Sequence, residues 1–72
     1  KKFDIIYCDP PFNSNYYNKI LEIIFSKKIL SDNGWLILEH PINLSFSKHP
    51  NFFDQRRYGK VLLSMFKYQN NE

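Results

Sequence analysis

Seventy-two residues with a net charge of +3, 43% hydrophobic and 18% aromatic, suit a packed core and exclude a disordered chain, although a chain this short buries only about 60% of the surface it exposes when unfolded. A single cysteine, Cys8, excludes an internal disulfide framework and a multi-cysteine zinc module. Apolar runs of only a few residues exclude a membrane-spanning segment, and no basic-then-apolar signal segment opens the chain; a reduced, cytoplasmic setting is the expectation. The mild positive charge is compatible with a polyanionic partner without demanding one. The chain has no Ala and no Thr but much Lys, Asn, Ile and Phe, so part of its lysine excess reflects an AT-rich codon bias.

Phe3-Asp4-Ile5-Ile6-Tyr7-Cys8 is short, apolar and rich in β-formers, the pattern of a parallel strand covered on both faces. A parallel strand needs neighbours, and few other strands follow. The chain therefore reads as the C-terminal half of a larger α/β domain, with residues 1–72 forming one partial domain. Asp9-Pro10-Pro11-Phe12-Asn13-Ser14 ends the strand, because each proline fixes its own φ and restrains the residue before it. Asn13 or Ser14 is placed to cap a helix. Tyr16 to about Leu30 has helical spacing, with Tyr17, Ile20, Leu21, Ile24 and the stem of Lys28 on one face, and Ile23 and Phe25 widening the stripe. Lys27 and Lys28 are expected in the last turn, where they complement the helix dipole. Ser31-Asp32-Asn33-Gly34 is read as the stop.

Trp35 to His40 reads as a second strand, completing a right-handed βαβ unit. Pro41 ends it, and residues 41–51 suit either a short helix or an irregular crossover. Phe52–Tyr58 and Val61–Tyr68 read as two antiparallel strands joined at Gly59-Lys60. The polar tail from Gln69 to Glu72 is expected to fray.

The chemistry is expected at Asp9-Pro10-Pro11-Phe12. In open α/β sheets ligands bind beyond the carboxyl ends of the strands, and this tetrapeptide follows such an end. It offers a carboxylate, a rigid carbonyl at Pro10 and an aromatic ring. That set suits a planar base with an exocyclic amine. The amine is a poor nucleophile because its lone pair is delocalised into the ring. Two acceptors, the Asp9 carboxylate and the Pro10 carbonyl, hold its two hydrogens and favour the pyramidal, nucleophilic geometry. Phe12 adds a stacking face worth about 1–3 kcal/mol.

This motif resembles the amine-binding motif of S-adenosylmethionine-dependent amino methyltransferases. Phe3-Asp4-Ile5-Ile6, Asp32-Asn33-Gly34-Trp35, Leu38-Glu39-His40, Arg57-Tyr58-Gly59-Lys60 and Leu63-Ser64-Met65-Phe66 extend the resemblance, over roughly residues 3–68, to the C-terminal half of RsmD-type enzymes. These methylate N2 of a guanine in 16S ribosomal RNA. The resemblance implies an α/β fold, the C-terminal half of a Rossmann-like methyltransferase sheet. Residues 3–8 would be its fourth strand and 35–40 its fifth, and the hairpin would hold the antiparallel seventh beside the fifth. It implies Asp9, Pro10, Pro11 and Phe12 as catalytic residues. It implies S-adenosylmethionine as cofactor, held mainly by an N-terminal half outside this chain, so the chain alone is expected to have little activity. Cofactor contact within the chain is limited to Asp9, and no metal is expected. Ribosomal RNA or the small ribosomal subunit is the implied partner. Two features depart from the family pattern: Val61 stands where a Thr is usual, and Gly34 and Gly59 both occupy turns rather than a donor-binding loop.

Other residues have plainer readings. Cys8 reads as a small buried filler. His40 and His49 lack the spacing of a zinc site, and Glu39-His40 is assigned a structural or supporting polar role. Tyr16-Tyr17 is read as helix start and core packing. Arg56, Arg57 and Lys60 are candidates for RNA phosphate contacts, a solvated hairpin being the other reading. The competing functions are methylation of adenine N6 or another amine through the same motif, and a non-catalytic basic RNA-binding remnant. Exposed sheet edges are expected to drive self-association of the isolated chain.

Overall fold

A computed structural model describes residues 2–9 and 15–69. Five elements follow in chain order: β1 (Phe3–Cys8), α1 (Asn15–Ser26), β2 (Leu30–Pro41), β3 (Phe52–Tyr58) and β4 (Val61–Phe66). The strands form one sheet in the order β1-β2-β4-β3. β1 and β2 run parallel, joined through α1, and the remaining pairs are antiparallel. The hairpin thus adds its second strand, β4, directly to β2 and leaves β3 outside. No helix among the described residues is long and apolar enough to cross a membrane.

One face of the sheet carries the core. Leu30, Leu36, Leu38 and Phe66 are buried there against Tyr17, Leu21 and Ile24 of α1. Alternation along β2 produces this: Leu36, Leu38 and His40 point toward the helix, and Trp35, Ile37 and Glu39 point away. The irregular crossover between β2 and β3 closes the same face with successive turns, Leu44 N–H bonding Pro41 O at 3.2 Å and His49 N–H bonding Phe46 O at 3.0 Å. Its Phe46 ring lies 4.8 Å from that of His40 and 5.5 Å from that of Tyr17.

Several boundaries differ from those expected. The helix ends at Ser26, not near Leu30, so Lys27 and Lys28 lie beyond its last turn. The Ile29 amide bonds Ile24 O at 3.1 Å, and Lys28 takes φ 53°. That is a Schellman stop with a lysine in the left-handed position usually given to glycine. Ser31 to Gly34 is not the helix stop. It lies within β2, which starts at Leu30 rather than Trp35. Between the pairs Phe3–Leu30 and Ile5–Trp35 the chain of β2 bulges, and Ser31 Oγ donates to Asp4 Oδ1 at 2.7 Å to hold the bulge against β1. β4 ends at Phe66, two residues early; Tyr68 folds back and its hydroxyl donates to Leu30 O at 3.0 Å.

The apolar stripe of α1 is also narrower than expected, with Ile23 48% exposed. Nor is β1 covered on both faces. It is an edge strand, and Phe3, Ile5 and Tyr7 are each more than half exposed. The hairpin forms as expected, with Gly59 at φ 59°. The frayed tail beyond Gln69 and the helix cap at Asn13 or Ser14 lie outside the described residues.

Candidate amine site at the carboxyl ends of β1 and β2

β1 and β2 pair in register through Cys8–Leu38. One residue further along each strand come Asp9 and Glu39, so the two carboxylates stand on neighbouring parallel strands, whose spacing is about 4.8 Å. Asp9 is exposed at this rim. Pro10, Pro11 and Phe12, the rest of the expected motif, lie outside the described residues.

Tyr7 joins this rim. It pairs with Ile37, and its phenol reaches two residues further along β2 to donate a hydrogen bond to Glu39 Oε1. That bond pushes the Tyr7 phenol up to about 12; desolvation and the charges of Glu39 and Asp9 act in the same direction. Tyr17 approaches from α1. It is 1% exposed, and its hydroxyl has no hydrogen-bond partner among the described residues. Burial raises its phenol, as do the charges of Asp9 and Glu39; its ring lies on the helix side of the sheet, 6.1 Å from that of His40.

His40 faces the other way, into the core. Its Nδ1 lies 2.9 Å from Pro41 O and its Nε2 lies 2.7 Å from Ser64 Oγ. A carbonyl only accepts, so Nδ1 carries the proton and donates, and the Ser64 hydroxyl donates to Nε2. Burial holds the imidazole below its usual range, partly offset by the bond to Pro41. His40 therefore ties β2 to β4 as a neutral ring. His49 is likewise lowered by burial; its Nδ1 accepts from the Asn51 amide at 3.0 Å. Both histidines bond to backbone or side-chain groups of the fold itself. The half-buried Cys8 thiol is raised by desolvation, which fits filler rather than nucleophile. No group of three or more His, Cys, Asp or Glu able to hold a metal ion occurs among the described residues.

The hairpin brings its cations to the same end of the sheet. β4 runs back along β2 with Leu62 opposite His40 and Val61 opposite Pro41, and β3 sets Arg57 opposite Leu62. Arg56, Arg57 and Lys60 are exposed there, three strand spacings or about 14 Å from β1. Arg57 Nε donates to Gly59 O at 2.9 Å, steadying the turn. The concavity of about 350 Å³ lined by Lys2, Lys28, Asp32, Asn33 and Tyr68 lies at the opposite end of the sheet.

The two glycines of the described residues both serve the backbone. A Cβ on Gly34 would lie 2.9 Å from Phe3 O, so that glycine serves a close backbone approach, and Gly59 serves a hairpin turn. Neither opens the strand-to-helix loop that cradles a nucleotide. Tyr7 was overlooked in the sequence reading, which saw only a strand residue. The signal for it is its i, i+2 relation to Asp9, which sets both on one strand face.

Solved structures share this fold. A conserved hypothetical protein from Streptococcus pyogenes superposes with a TM-score of 0.76 at 19% identity, covering 90% of this chain and 42% of its own. HI0767 from Haemophilus influenzae, provisionally named a methylase, gives 0.72 at 20% identity, covering 89% and 38%. The Escherichia coli protein yhhF, provisionally named a methyltransferase, gives 0.74 at 18% identity, covering 94% and 40%. The chain spans about two fifths of the length of these proteins. No curated protein matches it. A family model matches residues 1–67, and the chain belongs to that family, described as Conserved hypothetical protein 95.

Proposed function

We propose that this chain is the amine-binding part of an S-adenosylmethionine-dependent methyltransferase acting on N2 of a guanine in small-subunit ribosomal RNA. One observation carries the reading: the carboxylate that opens the Asp-Pro-Pro-Phe motif stands exposed at the carboxyl end of a parallel strand, where α/β sheets bind ligands. The strand order supports it, because β4 stands between β2 and β3 as the seventh strand of the methyltransferase sheet stands between the fifth and sixth. The fold shared with proteins named as methylases supports it further.

In this reading Asp9 and the Pro10 carbonyl hold the two amine hydrogens, and Phe12 stacks on the base. When bound, the sulfonium donor would supply an electrophilic methyl group to the nitrogen lone pair and would leave as the neutral thioether. The product nitrogen is briefly cationic and then loses a proton. Arg56, Arg57 and Lys60 bind phosphates of the same RNA. The donor is held by a further half of the methyltransferase sheet.

The test is methyl incorporation into ribosomal RNA by a protein in which this chain is joined to a donor-binding half. The product nucleoside is identified by mass spectrometry. N2-methylguanosine is expected, and Asp9→Ala should cost about 100- to 1,000-fold in kcat, the scale of a lost transition-state hydrogen bond. N6-methyladenosine would move the assignment to adenine. Full activity in Asp9→Ala would remove the role given to that carboxylate.

A further inference from the structure

We infer that Glu39 is a second catalytic carboxylate of the amine site, oriented by Tyr7, and that it receives the proton released when the amine is methylated. The inference rests on the proposed amine transfer. It names a residue that the Asp-Pro-Pro-Phe motif does not contain.

Asp9 and Glu39 follow the last register pair of β1 and β2, so a base amine held at Asp9 sits beside the end of β2. Glu39 lies on the sheet face that carries no helix, whereas its neighbour His40 turns into the core. A carboxylate at an exposed strand end would ordinarily sample several rotamers. Here the Tyr7 phenol binds Oε1, and such charge-assisted bonds are strong enough to fix the group that accepts them. The other oxygen takes no part in that bond.

The chemistry calls for a group like Glu39. Of the two amine hydrogens, the one that Asp9 holds stays on the product nitrogen; the other, at the Pro10 carbonyl, needs a base, because an amide carbonyl accepts a hydrogen bond but cannot take the proton away. After the methyl group arrives, the N–H bond breaks with its electron pair returning to nitrogen. The proton bonds to Glu39 Oε2, giving a neutral methylamine and a neutral carboxyl group, which later releases the proton to water. A conjugated amine is a very strong acid once it carries the extra substituent and a positive charge, so no strong base is needed. Position is what matters, and Tyr7 supplies it as a positioning residue.

Two measurements test this. On the 72-residue chain itself, the tyrosinate absorbance of Tyr7 is isolated by subtracting the Tyr7→Phe variant. The phenol should titrate near 12 and return toward 10 in Glu39→Gln. A phenol unmoved by Glu39→Gln overturns the pairing, and the inference with it, whatever the enzyme does. In the methyl-transfer assay, Glu39→Gln should lower kcat about 10- to 100-fold, with KM unchanged within about twofold. Tyr7→Phe should give a smaller fall in kcat. Parental kcat in Glu39→Gln, with Asp9→Ala inactive, overturns this inference and leaves the proposed function standing. If the parent transfers no methyl group, or Asp9→Ala is fully active, the proposed function fails and the role of Glu39 falls with it.

Discussion

Gly34 shows how much one residue decides. It is buried in the bulge of β2, and an added Cβ would stand 2.9 Å from Phe3 O and 3.0 Å from Asp4 O. Those atoms belong to a strand backbone and cannot swing aside. Gly34→Ala should therefore destabilise the chain by about 1–3 kcal/mol, read as a lower urea midpoint. The His40–Ser64 pair makes a second residue-scale prediction. Removing the hydroxyl in Ser64→Ala leaves a buried Nε2 without its donor and should cost about 1–3 kcal/mol. The pH dependence follows from the lowered imidazole: the fold favours neutral His40, so stability is fully present above the unfolded value of 6.5 and declines as pH falls through the lower folded value. Burial lowers His49 in the same direction. Urea unfolding at pH 7 and pH 5 should show the parent losing stability in acid.

Among the elements, the end of α1 is the instructive case. Glycine is the usual left-handed terminator, and Gly34 drew the expected stop toward it. The chain instead turns at Lys28, because Ile29 must enter the groove beside Ile24 and the Phe3 amide bonds Ile29 O at 3.0 Å. Those tertiary contacts override the cost of a positive φ, about 1–2 kcal/mol for a residue with a Cβ. Lys28→Gly should remove that cost and stabilise the chain by about 1 kcal/mol, seen as a rise in thermal midpoint. β3 has a comparable irregularity. Its register slips between Phe52 and Asp54, and Phe53 lies across Trp35 at 5.1 Å, with Lys67 Nζ 4.6 Å above its ring. Alternation of hydrophobic residues cannot reveal such a bulge, because it adds a residue without altering composition.

For the whole molecule, the open edge of β1 dominates. Ile5 is 63% exposed, and a groove of about 460 Å³ lined by Phe3, Ile5, Ile6, Tyr7, Ile24 and Ile29 runs along it. An unpaired, apolar strand edge recruits other strands. The isolated chain should sediment with a mass that rises with concentration above 8.7 kDa, and Ile5→Lys should return it toward the monomer. Sequence by itself determined the alternation of strand, helix and hairpin, the centre of the core stripe at Tyr17, Leu21 and Ile24, and the position of Asp9 just past a strand. All of these follow from local periodicity and from the backbone restraints of proline and glycine. Only the tertiary structure decided the register between the strands, and therefore that Tyr7 meets Glu39, that His40 meets Ser64, and that Arg57 stands at the same rim as Asp9. Those meetings join residues far apart in the chain, and sheet pairing, which local spacing does not encode, brings them together.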